Sequence, residues 1–202
     1  MPPRLLYPLL PYRSCLLPFV VVSAVAVPCW LVFRLYRRRT TGHRPPLRRE
    51  MLLLLVVLYL SGLAAVTLVP SHPSREVAES SRAIDLLPDV ASLTCSSASM
   101  PASSRAHGFC VRNARGNLVL FIPLGFLLPL VWPRLGFWKG MQIALVVSVS
   151  IELLQYLSRT WGSQRTADVN DVILNCVGAG MGLAVVFLLR LRRGVRPAIA
   201  RA

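Results

Sequence analysis

The sequence predicts an all-α protein, a polytopic bundle of about five transmembrane helices. Two observations indicate this fold class. Of the 202 residues, 54% are hydrophobic and 15% are charged, whereas a soluble domain is about 45–50% apolar and about 25% charged. The apolar residues also form long runs of roughly the 17–25 residues that a helix needs to cross a bilayer. The predicted spans are 16–33, 51–69, 117–132, 141–157 and 171–189, and they leave no room for a soluble domain.

The first apolar run has two interpretations. Arg4 and Arg13 precede it, and Ala24-Val25-Ala26 inside it is typical of a signal-peptide cleavage site. However, apolar residues continue to Phe33 and an arginine cluster follows, which is typical of a helix that stays in the membrane. The sequence favours a retained helix, with cleavage as the alternative.

A loop at 70–116 separates the second and third spans, because Pro70 marks the end of the second one. Within this loop, Ile84, Leu87 and Ala91 have the spacing of one short interfacial helix. The stretch 96–108 is small and polar, and we expect it to be mobile.

The third span contains three residues that affect helix packing, Pro123, Gly125 and Pro129. Proline removes a backbone hydrogen bond and bends a helix. Since lipid cannot satisfy the freed carbonyl groups, we expect the bend to be buried in protein or to face a wet cavity.

Polar residues recur at helical spacing in the last two spans. In the fourth span, Ser148, Glu152 and Gln155 share one face, since they are separated by four and three residues. The fifth span carries a second stripe, with steps of three, four, three and four residues. Its members are Asp168, Asp171, Asn175, Gly178 and Gly182. Gly178 and Gly182 form a G-x-x-x-G spacing that lets a neighbouring helix approach closely.

The net charge of +15 is carried by arginines between the spans, which is a topology signal and not the basic face of a nucleic-acid-binding fold. Three short segments hold most of these residues: seven arginines between the first two spans, Arg134 and Lys139 between spans three and four, and five arginines after span five. Because short basic loops stay in the cytoplasm, the N-terminus is predicted outside and the C-terminus inside. Cys95 and Cys110 share the long outer loop, where a disulfide could persist.

This topology predicts a polar pocket near the outer interface. An acidic side chain in mid-membrane costs roughly 2.5–3.5 kcal/mol, so Glu152 needs a cation, a proton or a wet pocket. Arg165 is the best candidate counter-ion, with Arg159 second. The candidate ligand-binding residues are Asn117, Glu152, Gln155, Arg165, Asp168, Asp171 and Asn175. The alternative is a buried polar network that only fixes helix packing.

Catalysis has few candidate residues. No zinc motif such as H-E-x-x-H occurs, and no cofactor is expected. Glu152, with Asp168 or Asp171, could perform general acid–base chemistry or hold a divalent cation through oxygen ligands.

Several of these motifs resemble one family. Asn117 followed by Phe121-Ile122-Pro123-Leu124-Gly125, then Glu152-Leu153-Leu154-Gln155, then Arg165, Asp168, Asp171, Asn175 and Gly178 resembles the VanZ-like family of bacterial membrane proteins. The resemblance covers about residues 52–187. It implies a cell-envelope role, since the founding member of the family is linked to resistance to the glycopeptide teicoplanin.

The sequence therefore divides into three parts: 1–50, with the first helix and an arginine-rich cytoplasmic loop; 51–190, a VanZ-like transmembrane domain; and 191–202, a basic tail. The expected function is binding of a lipid-linked envelope precursor or a lipoglycopeptide from the bacterial inner membrane, with membrane lipids as partners. Two alternatives stay open: an enzyme that modifies a lipid-linked substrate, and a structural partner whose G-x-x-x-G stripe meets other helices. No oligomeric state is predicted.

Overall fold

The protein was analysed as a computed structural model that describes residues 13–42, 46–68, 84–96, 103–158 and 167–199. The chain forms two compact units, Met1–Ser74 and Arg75–Ala202. The first unit contains α1 (Arg13–Thr41) and α2 (Leu47–Leu68). The second contains β1 (Ile84–Asp85), α3 (Val90–Thr94), α4 (Arg105–Val131), α5 (Phe137–Ser158), β2 (Ala167–Asp168) and α6 (Val169–Ile199).

The predicted fold class is confirmed. Five helices, α1, α2, α4, α5 and α6, are long and apolar enough to cross a membrane. Many large apolar side chains on them are exposed, for example Val25, Leu55, Val146 and Leu188. Such surfaces suit lipid, because the bilayer core is as apolar as a protein interior.

The first unit is an antiparallel helical hairpin. The N-terminal part of α1 packs against the C-terminal part of α2, where Phe19 lies near Gly62. At the other end of the hairpin, the Arg34 guanidinium Nε donates to the Glu50 carboxylate at 2.8 Å. The helix α1 continues without a break through Ala24 and Ala26. The ion pair joins the two helices next to their connection, where both charged side chains are largely shielded from solvent.

In the second unit, α4 and α6 run parallel and touch along their backbones. Gly178 faces the Leu118 carbonyl group, and Gly182 faces Ile122 one turn further along both helices. Phe121 and Leu183 are fully buried, and the Leu183 side chain packs against Gly140 of α5. The G-x-x-x-G stripe is therefore covered by α4 of the same chain and is not free to meet another molecule.

The third span is longer than predicted. Ser104 caps α4 by accepting a hydrogen bond from the His107 N–H at 3.1 Å, so the helix begins at Arg105 and includes residues assigned above to the outer loop. Residues 105–108, the last part of the stretch expected to be mobile, form the first turn of this helix. An apolar-run criterion misses this start because arginines and other polar residues interrupt the apolar residues in the first three turns of α4.

The prediction of one interfacial helix containing Ile84, Leu87 and Ala91 is also wrong. Ile84 and Asp85 form β1, which pairs in parallel with Ala167 and Asp168 of β2. Only Val90–Thr94 is helical, with Asp89 as its N-cap. Local spacing could not predict a strand pair whose members are far apart in sequence.

The C-terminal end of α4 is capped by a cation, the guanidinium group of Arg190. The carbonyl group of Pro129 lacks its usual helical donor, because the residue four positions later is Pro133, which has no N–H. Arg190 of α6 donates to the Pro129 carbonyl and, at 3.1 Å, to the Pro133 carbonyl. A guanidinium at a helix C-terminus also complements the helix dipole.

Candidate functional site

The candidate site lies at the end of the second unit where α4 and α6 begin and α5 ends, which we call the polar end. Since α5 runs antiparallel to its two neighbours, its C-terminal residues meet the N-terminal residues of α4 and α6. The polar end contains Asn117 of α4, Glu152 and Gln155 of α5, and Asp171 and Asn175 of α6.

Glu152 connects α5 to the segment that leads into α6. Its side chain is buried, with 7% of its surface exposed. The carboxylate oxygen Oε2 accepts a hydrogen bond from the backbone N–H of Asp168 at 3.1 Å. A carboxylate that accepts from a backbone N–H is stabilised in its charged form, so this contact offsets part of the cost of burying Glu152.

Asp168 caps α6. Its Oδ1 accepts from the backbone N–H of Asn170 at 2.8 Å, the bond that an N-cap aspartate makes with the second helical residue. Asn170 in turn is buried and accepts from the Asp89 backbone N–H at 3.1 Å. These bonds fix the start of α6 and the start of α3 together.

Asp171 joins α6 to α4. Its Oδ1 accepts from the Asn113 side-chain amide at 3.0 Å. Asp171 also lies in the first turn of α6, where a negative charge is favoured by the helix dipole. These contacts give Asp171 a structural role, because they link the two parallel helices α4 and α6.

Asn175 and Asn117 leave two polar atoms without partners. Asn175 is 3% exposed, and its amide nitrogen donates to the Ser148 hydroxyl of α5 at 2.9 Å. Its carbonyl Oδ1 and the Asn117 amide Nδ2 are both buried and lack a hydrogen-bond partner among the described residues. An unsatisfied buried polar group typically costs about 1–3 kcal/mol, so both atoms call for an explanation.

These two asparagines lie at the same depth. Asn113 and Asp171 are in contact, and Asn117 and Asn175 each lie four residues further along their parallel helices. Residues four apart share a helix face, so both asparagines lie on the α4–α6 interface about 6 Å deeper than the Asn113–Asp171 bond. The acceptor of Asn175 and the donor of Asn117 therefore belong to the same level of the α4–α6 interface.

The remaining predicted site residues are distributed as follows. Gln155 is buried near the end of α5. Arg165 lies outside the described residues. Pro123 is on the exposed side of α4, whereas Gly125 is buried against Ala179.

The polar end contains several acidic residues. One of them, Asp85 of β1, was not placed there by the sequence spacing. The parallel pairing sets Asp85 directly beside Asp168. Asp89 is exposed, and its hydrogen bonds from the Ser92 hydroxyl and the Ala91 amide hold the pKa of its carboxyl below the usual value. Within the described part of the chain, no group of three or more His, Cys, Asp or Glu side chains has a geometry that could hold a metal ion.

A disulfide joins the polar end to α3. Cys95, which follows α3, is bonded to Cys110 in the second turn of α4, with a Cα–Cα distance of 5.8 Å. Cys95 has a left-handed backbone with φ of 52°. His107 accompanies the bridge, with its Nδ1 at 3.0 Å from the Cys95 carbonyl oxygen.

Sequence reasoning missed three residues of this network, Asn113, Asn170 and Asp85. Asn113 was assigned to the outer loop, and Asn170 falls outside the helical stripe of Asp168, Asp171 and Asn175. Asn113 precedes Asn117 by four residues, and this spacing is the sequence signal that could have found it.

Comparison with known proteins identifies the family. The family model described as VanZ/LLP1 matches residues 56–190, more than half of the chain. The chain belongs to the VanZ/LLP1 family. The VanZ/LLP1 match includes the whole polar end, but α1 and the first half of α2 lie outside it.

One curated relative is the protein named Protein VanZ from Enterococcus faecium, which is 34% identical over 72 residues. The match covers 36% of this chain and 42% of the length of VanZ. No solved structure matches the chain. The chain is thus a multi-pass membrane protein of the VanZ/LLP1 family.

The carboxylates of the polar end act mainly as hydrogen-bond acceptors that assemble the helices. Glu152 accepts from Asp168, Asp168 caps α6, and Asp171 accepts from α4. Among the described residues of the polar end, the buried side-chain atoms that lack a hydrogen-bond partner are Asn117 Nδ2 and Asn175 Oδ1.

Proposed function

We propose that this VanZ-family protein lies in the bacterial cytoplasmic membrane with its polar end facing outward. There it binds a lipid-linked envelope precursor or a lipoglycopeptide. The observation that carries the proposal is a pair of buried atoms, Asn117 Nδ2 and Asn175 Oδ1, at one depth of the α4–α6 interface. Neither has a hydrogen-bond partner in the part of the chain that the structure describes.

The chemistry of this pair suits a ligand amide or hydroxyl group. Each such group has both a donor and an acceptor, so one of them can satisfy both asparagines. The close backbone contacts at Gly178 limit the deep part of the site to a small group. The exposed apolar surfaces of α4 and α5, with Val119 and Leu153, offer a place for an acyl chain.

The proposed orientation has two supports. In the first unit, the end where α1 stops and α2 begins is strongly basic, as expected for a cytoplasmic end. It carries Arg37, Arg38, Arg48 and Arg49. The disulfide between Cys95 and Cys110 lies in segments that the predicted topology places outside the membrane, opposite the basic cytoplasmic loops. Disulfides persist on the oxidising side of the bacterial membrane.

Binding of teicoplanin to the purified protein in nanodiscs tests the proposed function. The matched variants are Asn175→Ala, which removes the free acceptor and the Ser148 bond, and Ser148→Ala, which removes that bond alone. Loss of one buried hydrogen bond to a ligand should weaken binding about tenfold in Asn175→Ala. Ser148→Ala should stay within about threefold of the parent protein, since its effect on Asn175 is indirect.

The same pair separates ligand binding from helix packing. Equal loss of binding in both variants, or equal loss of folded protein, would support a packing role for the polar end instead. A cysteine-accessibility assay that finds the C-terminus outside the cell would reject the proposed orientation.

A further inference from the structure

One end of the first unit carries much more positive than negative charge. Arg37, Arg38 and Arg39 end α1, and Arg48 and Arg49 begin α2; all five side chains are exposed. Glu50 is the only acidic residue in 1–74, and its carboxylate is already paired with Arg34. The five exposed arginines therefore have no acidic partner in their own unit.

A groove runs from one of these arginines along the apolar surface of α2. It has a volume of about 560 Å³. Its lining consists of Leu47, Arg48, Met51, Leu52 and Leu55. These residues span about two turns, so the apolar part extends roughly 10 Å from Arg48 at 1.5 Å per residue.

The groove lies on the side of α2 that faces away from α1. Glu50 points toward α1, as its bond to Arg34 requires. At 100° per residue, Arg48 and Leu52 are each about 160° around the helix from Glu50. Arg48 is thus not neutralised by Glu50, and it lies beside the apolar residues that line this open groove.

We propose that this groove binds an anionic phospholipid of the surrounding leaflet. The phosphate contacts the Arg48 guanidinium, and one acyl chain lies along Met51, Leu52 and Leu55. The surplus of positive charge supplies the charge complementarity, because clustered arginines at a membrane interface attract anionic headgroups. A guanidinium also pairs with phosphate through two parallel hydrogen bonds.

The acyl chain distinguishes this site from a phosphate-binding surface. Four of the five lining residues are apolar, so a free phosphate would use only Arg48. The site lies entirely before residue 56, where the VanZ/LLP1 match begins. It is therefore independent of the function proposed for the polar end.

Native mass spectrometry of the full-length protein provides the test. The protein is reconstituted with equal amounts of phosphatidylglycerol and phosphatidylcholine, and the lipid that remains bound is identified. Arg48→Gln should reduce retained phosphatidylglycerol about fivefold, whereas Arg39→Gln, a charge-matched control on α1, should leave it nearly unchanged. Leu52→Trp, which fills the groove and keeps every charge, should reduce retention to a similar degree.

Three results would overturn the proposal. Equal reductions in Arg48→Gln and Arg39→Gln would indicate a diffuse basic belt without a site. Unchanged retention in Leu52→Trp would exclude the acyl chain from the groove. Displacement of phosphatidylglycerol by millimolar inorganic phosphate would show that the surface recognises phosphate alone.

Discussion

Replacing Gly182 by alanine tests the parallel contact between α4 and α6. An added Cβ at this position would overlap the Ile122 carbonyl oxygen and lie 2.8 Å from the Phe126 nitrogen. Both are backbone atoms, so no side-chain rotation can relieve the overlap. The helices would have to separate by about 1 Å, which forfeits a quarter to a half of the dispersion energy at the closest contacts.

The expected net effect is a loss of about 2 kcal/mol. Overpacking of a close interface costs about 1–3 kcal/mol, lost contacts add to this, and the better helix propensity of alanine returns about 1 kcal/mol. For a chain of this length, about 2 kcal/mol corresponds to a decrease in Tm of about 4–8 °C.

The control is Gly180→Ala in the same helix. Its Cβ would meet the Met141 sulfur at 3.5 Å, an ordinary contact. Thermal unfolding of detergent-purified protein, followed by fluorescence-detected size-exclusion chromatography, compares the two variants. Gly180→Ala should have the Tm of the parent protein or a slightly higher one. Equal Tm values for Gly182→Ala and Gly180→Ala would refute the close parallel packing.

Three further perturbations have defined outcomes. Cys95→Ser removes the disulfide to Cys110, which joins residues 15 positions apart. It should lower the free energy of unfolding by about 3 kcal/mol. Denaturation with and without reductant measures this loss. Arg190→Gln should lower it by about 1–2 kcal/mol because the last carbonyl groups of α4 lose a charged donor, whereas Arg190→Lys should recover part of the loss in the same thermal assay. Because the pKa of the Asp89 carboxyl is lowered in the folded protein, its cap is fully present above the ordinary aspartate pKa and is lost as pH falls through the lower folded value. The protection factor of the Ala91 amide, its intrinsic exchange rate divided by the observed one, should therefore fall in that acidic window, and Asp89→Asn should abolish this fall.

The fold class was predictable because membrane insertion is determined by local composition. A run of apolar residues crosses the bilayer whatever its neighbours are, and five such runs became α1, α2, α4, α5 and α6. The start of α4 was not predictable from hydropathy, since charged and polar residues interrupt the apolar ones in 105–116 and the helix begins at a cap on Ser104.

The candidate site was predictable in part. Helical periodicity identified the members of the polar end on α5 and α6, because residues three and four apart share a face. It could not predict what each member contacts. Glu152 accepts from the backbone of Asp168, and Asp171 accepts from Asn113.

The sequence by itself determined how many helices span the membrane and which faces of them are polar. Only the tertiary structure decided the pairing of β1 with β2, the disulfide, and the hydrogen bond from Asn175 to Ser148. The physical reason is range: insertion and periodicity depend on residues within a few turns of one another. These contacts instead join residues 15 to 83 positions apart, whose proximity is created by helix packing.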